Sequence, residues 1–312
     1  TGVFAWRANS APPSLRPHSS GEEERGIGML CVWRALPLLL TAASASAFSI
    51  PSTLAPPSTA RRAASEASCK GVKMLGNPDS LRVFLVRHGA VDLNSPGRVY
   101  PQGSFYGGDD VPLSKLGEAE ARAAAEFLKD ENIEMVFCSP LSRAIYGAER
   151  VAENFGLTPT QDHDFREVDR GRWLGLTKEM IDEKYPGDMD SFAKDPTWCG
   201  HGGETYTGLF NRVLAARDRA LEKARAGGAK TICIVSHMWV TKSMVTDVMG
   251  IKPTEQDKWS ELQIPTASIS LLEYPLSGEG KPSVAFAGTK PQVPANWEEE
   301  AAAAAKGTKW GG

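Results

Sequence analysis

The chain has 312 residues, a formal charge of -3 and 41% hydrophobic residues. That length allows one or two soluble domains, and the charge argues against a general nucleic-acid binder. The five cysteines form no CxxC pair, so neither a disulfide framework nor a zinc site is suggested. Cys138 and Cys233 sit in apolar runs and read as buried thiols.

The chain opens on Thr1, so residues 1–28 read as a gene-model extension, a fragment or a disordered stretch, with Met29 a plausible start. Arg34, the apolar run Ala35–Ala43 and the small-residue site Ala45-Ser46-Ala47 make residues 29–47 a signal peptide. The run falls short of the roughly 20 residues of a bilayer span, so no stable membrane span is expected in the mature protein. Residues 48–75 are rich in Ser, Thr, Pro and Ala, with Arg61 and Arg62 and Glu66 as the single acid up to Ser68, which is transit-peptide composition. Together they resemble the bipartite plastid leader of algae with secondary plastids, with Phe48 as the first residue after cleavage. A secreted protein with a disordered linker is the alternative. Either way the leader is set aside from the fold.

The catalytic domain is expected over residues 79–289. It opens with Leu81–Val86, a short apolar run that reads as a strand buried on both faces and ends in Arg87-His88-Gly89. Ligands of open α/β sheets sit beyond such strand ends, and Gly89 lets the chain turn sharply. Taken alone, a solvated strand end explains the triplet as well. A loop from Ala90 to Pro112 follows, long enough to be functional or disordered. Ser114 then caps a helix over Lys115–Leu128, with Glu118 and Glu120 placed for the helix dipole and Ala121, Ala124, Ala125, Phe127 and Leu128 as packing residues.

Ile133–Cys138 reads as a second buried strand, and Pro140 opens a helix to about Phe155. Arg143 lies near that helix N-terminus, where anions are favoured, though a surface arginine fits equally. In the segment Phe165–Gly175, Glu167 is a candidate proton donor, or Glu167 or Asp169 simply pairs with an arginine. Short helices follow over Lys178–Lys184 and Asp188–Lys194, then a long one over Thr205–Ala226 with Leu209, Val213, Leu214, Ala216 and Leu221 on one side. Lys230–Val235 repeats the opening pattern and delivers His237, which alone reads more simply as a structural histidine. A helix over Val240–Met249 and closing strands over Ala267–Tyr274 and Val284–Gly288 complete the domain. Residues 290–312 form an appendage, with a short capped helix from about Asn296.

The ordered set Arg87-His88-Gly89, Ser139-Pro140-Leu141-Ser142-Arg143, Glu167 with Gly171, Trp173 and Gly175, Gly202-Gly203-Glu204 and Ser236-His237 resembles the histidine phosphatase superfamily, also called the phosphoglycerate-mutase-like family. The segment Gly107–Ser114 with Gly117 matches another of its blocks, and Asn94 falls where the family carries a phosphate contact. The resemblance covers about 200 residues. It implies a three-layer α/β/α sandwich with a mostly parallel central sheet.

The implied activity is hydrolysis of a small phosphomonoester through phosphohistidine. His88 attacks through one ring nitrogen while a backbone carbonyl holds the other. Arg87 and Arg143 grip phosphate oxygens, with Asn94 and Gly107 as further binding positions. A protonated His237 adds charge, and Glu167, with a raised pKa, serves as acid and then base. No metal and no cofactor are implied, because arginines and a cationic histidine neutralise the phosphate.

Four features depart from the family pattern: the long stretch between Asn94 and Tyr106, Gly147 in place of Thr, and Met238 and Trp239 after the second histidine. The 70 positions from Glu167 to His237 are compact, which favours a phosphatase over a mutase. Sugar phosphates, including carboxyarabinitol 1-phosphate, are candidate substrates by compartment alone. A binding module that lost catalysis would have dropped one of Arg87, His88, Arg143, Glu167 or His237, and all are present.

Overall fold

The computed structural model describes residues 79–299, residue 98 excepted. The expected leader (29–47 and 48–75), the residues before it and those after Glu299 lie outside the described residues.

β1 (Ser80–Arg87) runs parallel to β4 (Thr231–Ser236) and antiparallel to β5 (Ile269–Pro275). β2 (Met135–Cys138) lies parallel to β4, β3 (Thr160–Gln161) parallel to β2, and β6 (Ser283–Thr289) antiparallel to β5. The order is β3-β2-β4-β1-β5-β6, a mostly parallel sheet with antiparallel strands at one end.

Alternation along β1 feeds two cores. Leu81, Val83 and Leu85 pack with Ile232, Ile234, Leu209, Val213, Val240 and Met244, which places α5 (Tyr206–Ala226) and α6 (Met238–Val248) on one face. Phe84 and Val86 pack with Cys233, Val235, Ala124, Leu128, Ala144 and Val151, which places α1 (Lys115–Leu128) and α2 (Ser142–Glu153) on the other. This is the expected three-layer sandwich. α3 (Lys178–Lys184) and α4 (Asp188–Lys194) precede α5, and a third cluster packs Trp173, Ile181, Phe192 and Tyr206 there. No helix among the described residues is long and apolar enough to cross a membrane.

Several local expectations change. Gly89 is needed for close approach: a Cβ there would lie 2.2 Å from the Gly117 carbonyl oxygen, and one on Gly117 would lie 1.9 Å from that of Ala90. Two glycines therefore let the β1 exit cross α1. Glu120 is buried in that junction, accepting from the Ala90 N–H (2.7 Å) and the Lys290 ammonium (2.5 Å), so it anchors this turn instead of serving the helix dipole. Phe127 is exposed on α1.

β2 starts two residues later than expected because the Glu134 carboxylate caps the Lys230 and Thr231 N–H groups. α2 starts at Ser142, whose N–H and hydroxyl both reach Asp110 (2.7 Å each), leaving Pro140 in the connection. β3 and α7 (Gln256–Glu261) were not anticipated, being too short to show a hydrophobic period. Gly147 sits where a Cβ would come within 3.2 Å of Val235, so it brings α2 close to β4. The Cys138 and Cys233 thiols are free and buried, and burial pushes Cys138 up to about 12.

Candidate active site

Strand register assembles the site. Arg87 pairs with Ser236, and Cys138 with Val235, so β1, β2 and β4 end level with one another. Their next residues, His88, Ser139 and His237, therefore emerge side by side. The His88 N–H donates to the Ser236 carbonyl (3.0 Å) and the Ser139 N–H to that of Val235 (3.1 Å), which extends the ladder one step past the strands.

The two imidazoles lie 5.1 Å apart, tilted by 59°. Both are buried. His88 Nδ1 is 2.7 Å from the Gly89 carbonyl oxygen. A carbonyl can only accept, so Nδ1 carries the proton and Nε2 keeps its lone pair. His237 Nε2 is 2.8 Å from the Ser139 hydroxyl.

Arg143 is fully buried, with Nη1 donating to the Asp109 carbonyl (2.5 Å) and Nη2 to the Gly107 carbonyl (2.7 Å). The long loop after His88 is thus a structured arm that aims Arg143. It is held by hydrogen bonds from the Tyr100 N–H to the Leu93 carbonyl (2.8 Å) and from the Gly175 N–H to the Phe105 carbonyl (2.7 Å). Gly107 is required because a Cβ there would lie 2.4 Å from the Val168 carbonyl. The arm therefore presses on the segment that carries Glu167. Arg87 donates to the Ile264 carbonyl (2.6 Å).

Burial, then Arg143 and Arg87, lower the His88 pKa well below the ordinary range, against the raising effect of the Gly89 carbonyl. His237 is lowered well too, by burial first, then Arg143 and His88. Burial and the two nearby arginines both favour the neutral ring, so the protonated His237 expected from the sequence would need a compensating anion. Its Nδ1, with Nε of Arg87 and of Arg143, is buried without a hydrogen-bond partner.

Glu167 is buried, accepting from its neighbour Val168 N–H (3.0 Å) and from the Trp239 N–H (3.4 Å). Its charge is felt at Arg143. Arg212, which sequence reasoning missed, braces its segment. Arg212 forks onto Glu204 (2.6 and 2.7 Å) and donates to the carbonyls of Asp164 (2.6 Å), Arg166 (2.9 Å) and Glu167 (3.3 Å). Glu204, the acid of the Gly-Gly-Glu block, supplies the signal, since it sits eight residues before Arg212 across the start of α5.

Asn94 is not brought to this cluster. It is exposed, its N–H donating to Asp92 (2.9 Å). Met238 is half-buried; Trp239 packs against Tyr206 (ring centroids 4.8 Å) and Trp259 (6.1 Å). An aromatic hollow of about 130 Å³ opens there, lined by Tyr206, Trp239, Pro253, Gln256, Trp259 and Ser260.

A level row of parallel strand ends that presents two histidines and two arginines defines an anion-binding enzyme class. The chain belongs to the histidine phosphatase superfamily (branch 1), whose family model matches residues 83–284. It is 28% identical over 172 residues to phosphoserine phosphatase 1 of Hydrogenobacter thermophilus, covering 55% of this chain and 77% of that protein. It is 37% identical over 140 residues to glucosyl-3-phosphoglycerate phosphatase of Mycobacterium tuberculosis, covering 45% of this chain but only 58% of that protein. The native structure of the mycobacterial glucosyl-3-phosphoglycerate phosphatase superposes with a TM-score of 0.58 at 26% identity, covering 67% of this chain and 99% of that one.

Proposed function

We propose that the protein is a metal-independent phosphatase of small phosphomonoesters, working through a phosphohistidine. The observation that carries this is His88: held at Nδ1 by a carbonyl, neutral, and flanked by Arg87 and Arg143. Its Nε2 lone pair attacks phosphorus, and the P–O bond to the alcohol breaks. Glu167 gives its proton to the leaving alkoxide, then takes one from the water that attacks the phosphohistidine, which releases orthophosphate and restores His88. The arginines match the phosphate oxygens by geometry and charge. The orphaned donors Nε of Arg87 and of Arg143 find acceptors in the same oxygens. A bound dianion also raises the His237 pKa, so that His237 takes up its proton with the substrate and stabilises the transferring group.

The test is phosphate release from a phosphomonoester panel with chelator present, for the wild type and His88→Ala. Chelator-resistant release that falls by about 10³-fold or more in the variant is expected. Equal activity in the two proteins sinks His88 as the nucleophile.

A plastid address is part of the same proposal and rests on the composition of residues 29–75. Those residues fused to a fluorescent reporter should enter the plastid of an alga with a secondary plastid; a secreted reporter overturns the assignment.

A further inference from the structure

Arg170 has no place in the chemistry above, yet it lies in the wall of the same site. It is only three residues beyond Glu167. Its stem packs on Gly107, where a Cβ would come within 2.7 Å of the Arg170 Cγ, and the Gly107 carbonyl is the one that holds Arg143. Its guanidinium lies over the rings of Phe105 (5.0 Å) and Trp239 (5.7 Å). The backbone N–H of Trp239 in turn donates to Glu167 (3.4 Å). Trp239 therefore links Arg170 to the candidate proton donor Glu167.

Arg170 is 5% exposed. Among the described residues it pairs with no carboxylate. Its neighbours are the two aromatic faces and the Tyr206 hydroxyl, whose pKa burial raises and Arg170 pulls back. A buried guanidinium without a counter-charge is costly, and ring faces compensate for only part of that. Lys242 repeats the pattern. It is 6% exposed, lies 5.3 Å from the centroid of the same Trp239 ring and donates to the Trp259 carbonyl (2.8 Å). Burial and then Arg87 lower its pKa, while Glu167 raises it, which sets it in the field of the same site.

The phosphate needs Arg87 and Arg143. Two further cations around Trp239 exceed what an uncharged alcohol would require. We infer that Arg170, with Lys242 in support, is the subsite for a carboxylate on the alcohol portion of the substrate, so that the enzyme's substrates are phosphorylated hydroxy acids. The inference rests on the phosphatase reading and narrows its substrate class. A single negative charge on a planar group suits one buried guanidinium, whose edge donors form the fork that carboxylates accept.

The test uses two substrates that differ only at this group: 3-phosphoglycerate, with its carboxylate, and glycerol 3-phosphate, with a hydroxymethyl in its place. Wild-type kcat/KM should favour the acid by about 10- to 100-fold, the range of a charge-assisted hydrogen-bond pair. Arg170→Met should bring that ratio close to one, mainly through a higher KM for the acid, and Arg170→Lys should restore part of it. Lys242→Met should lower the ratio by a smaller factor. No preference in the wild type, or equal losses on both substrates in Arg170→Met, overturns the inference and leaves the phosphatase reading standing. If the wild type hydrolyses neither compound, calorimetric titration of His88→Ala with the same pair decides the subsite separately. Tighter binding of the acid that Arg170→Met abolishes supports it, and equal binding of the two compounds overturns it.

Discussion

The cations of the scaffold and those of the site are treated in opposite ways. In the scaffold several buried or half-buried cations meet acids: Arg82 with Glu131, Arg212 with Glu204, and Arg217 with Asp218 and Asp247, while exposed Lys290 reaches the buried Glu120. At and near the strand ends, Arg87 and Arg143 donate to carbonyls, and among the described residues neither they nor Arg170 and Lys242 form an ion pair. The scaffold neutralises its charges to stay folded. The site leaves its cations without ion-pair partners, with Glu167, Asp110 and Asp109 acting on Arg143 only through their fields, and a phosphorylated anion meets the charge that remains. The difference teaches that charge at this site is held in reserve for a ligand at some expense in stability.

Replacing a charge from each region breaks or sharpens this contrast. Arg143→Met should cost the most activity, about 10²- to 10⁴-fold in kcat/KM. Its thermal unfolding should stay unchanged or improve, because a buried unpaired charge is replaced by an apolar chain. A large loss of stability would show that Arg143 also holds the fold together through the carbonyls of Asp109 and Gly107. Arg82→Met should do the reverse. It strands the buried Glu131 carboxylate, so denaturant unfolding should show a loss of about 2–3 kcal/mol, with kcat/KM changed less than about twofold. Lost activity without lost stability there would remove the distinction between the regions.

The smallest effect is in pH. His88 attacks as the neutral base, and its pKa in the free enzyme is depressed by burial and by Arg143 and Arg87. The acid limb of kcat/KM should therefore lie well below 6.5, the ordinary histidine value. Because the unfolded chain takes up these protons first, stability is full above about pH 6.5 and is lost as pH falls from there through the depressed folded-state values. Phosphate should oppose that loss. A limb at or above 6.5 would contradict the burial argument for His88.

Much of the fold was legible in the chain itself. The apolar runs Leu81–Val86 and Lys230–Val235 announce central strands because both of their faces are covered. α1, α3 and α4 match their expected bounds, each with its own local signals. Short elements were not legible, since two residues of β3 and six of α7 carry no period. The misplacement of Phe127 and Glu120 has a different cause: helical spacing assigns a face, but the neighbour on that face comes from a distant segment.

The sequence alone determined the residue types of the site and their order, since Arg87, His88, Arg143, Glu167 and His237 lie in segments with local signals of their own. Only the tertiary structure decided which of them meet, and in what electrostatic state. Strand register brought His88, Ser139 and His237 level, and burial beside two arginines pushed the His237 pKa down. Arg212 as a brace, and Arg170 and Lys242 as cations without an ion pair among the described residues, emerged only from the packed structure. The physical reason is that spacing along a chain specifies local conformation, whereas desolvation and charge pairing depend on atoms that meet only when distant segments pack together.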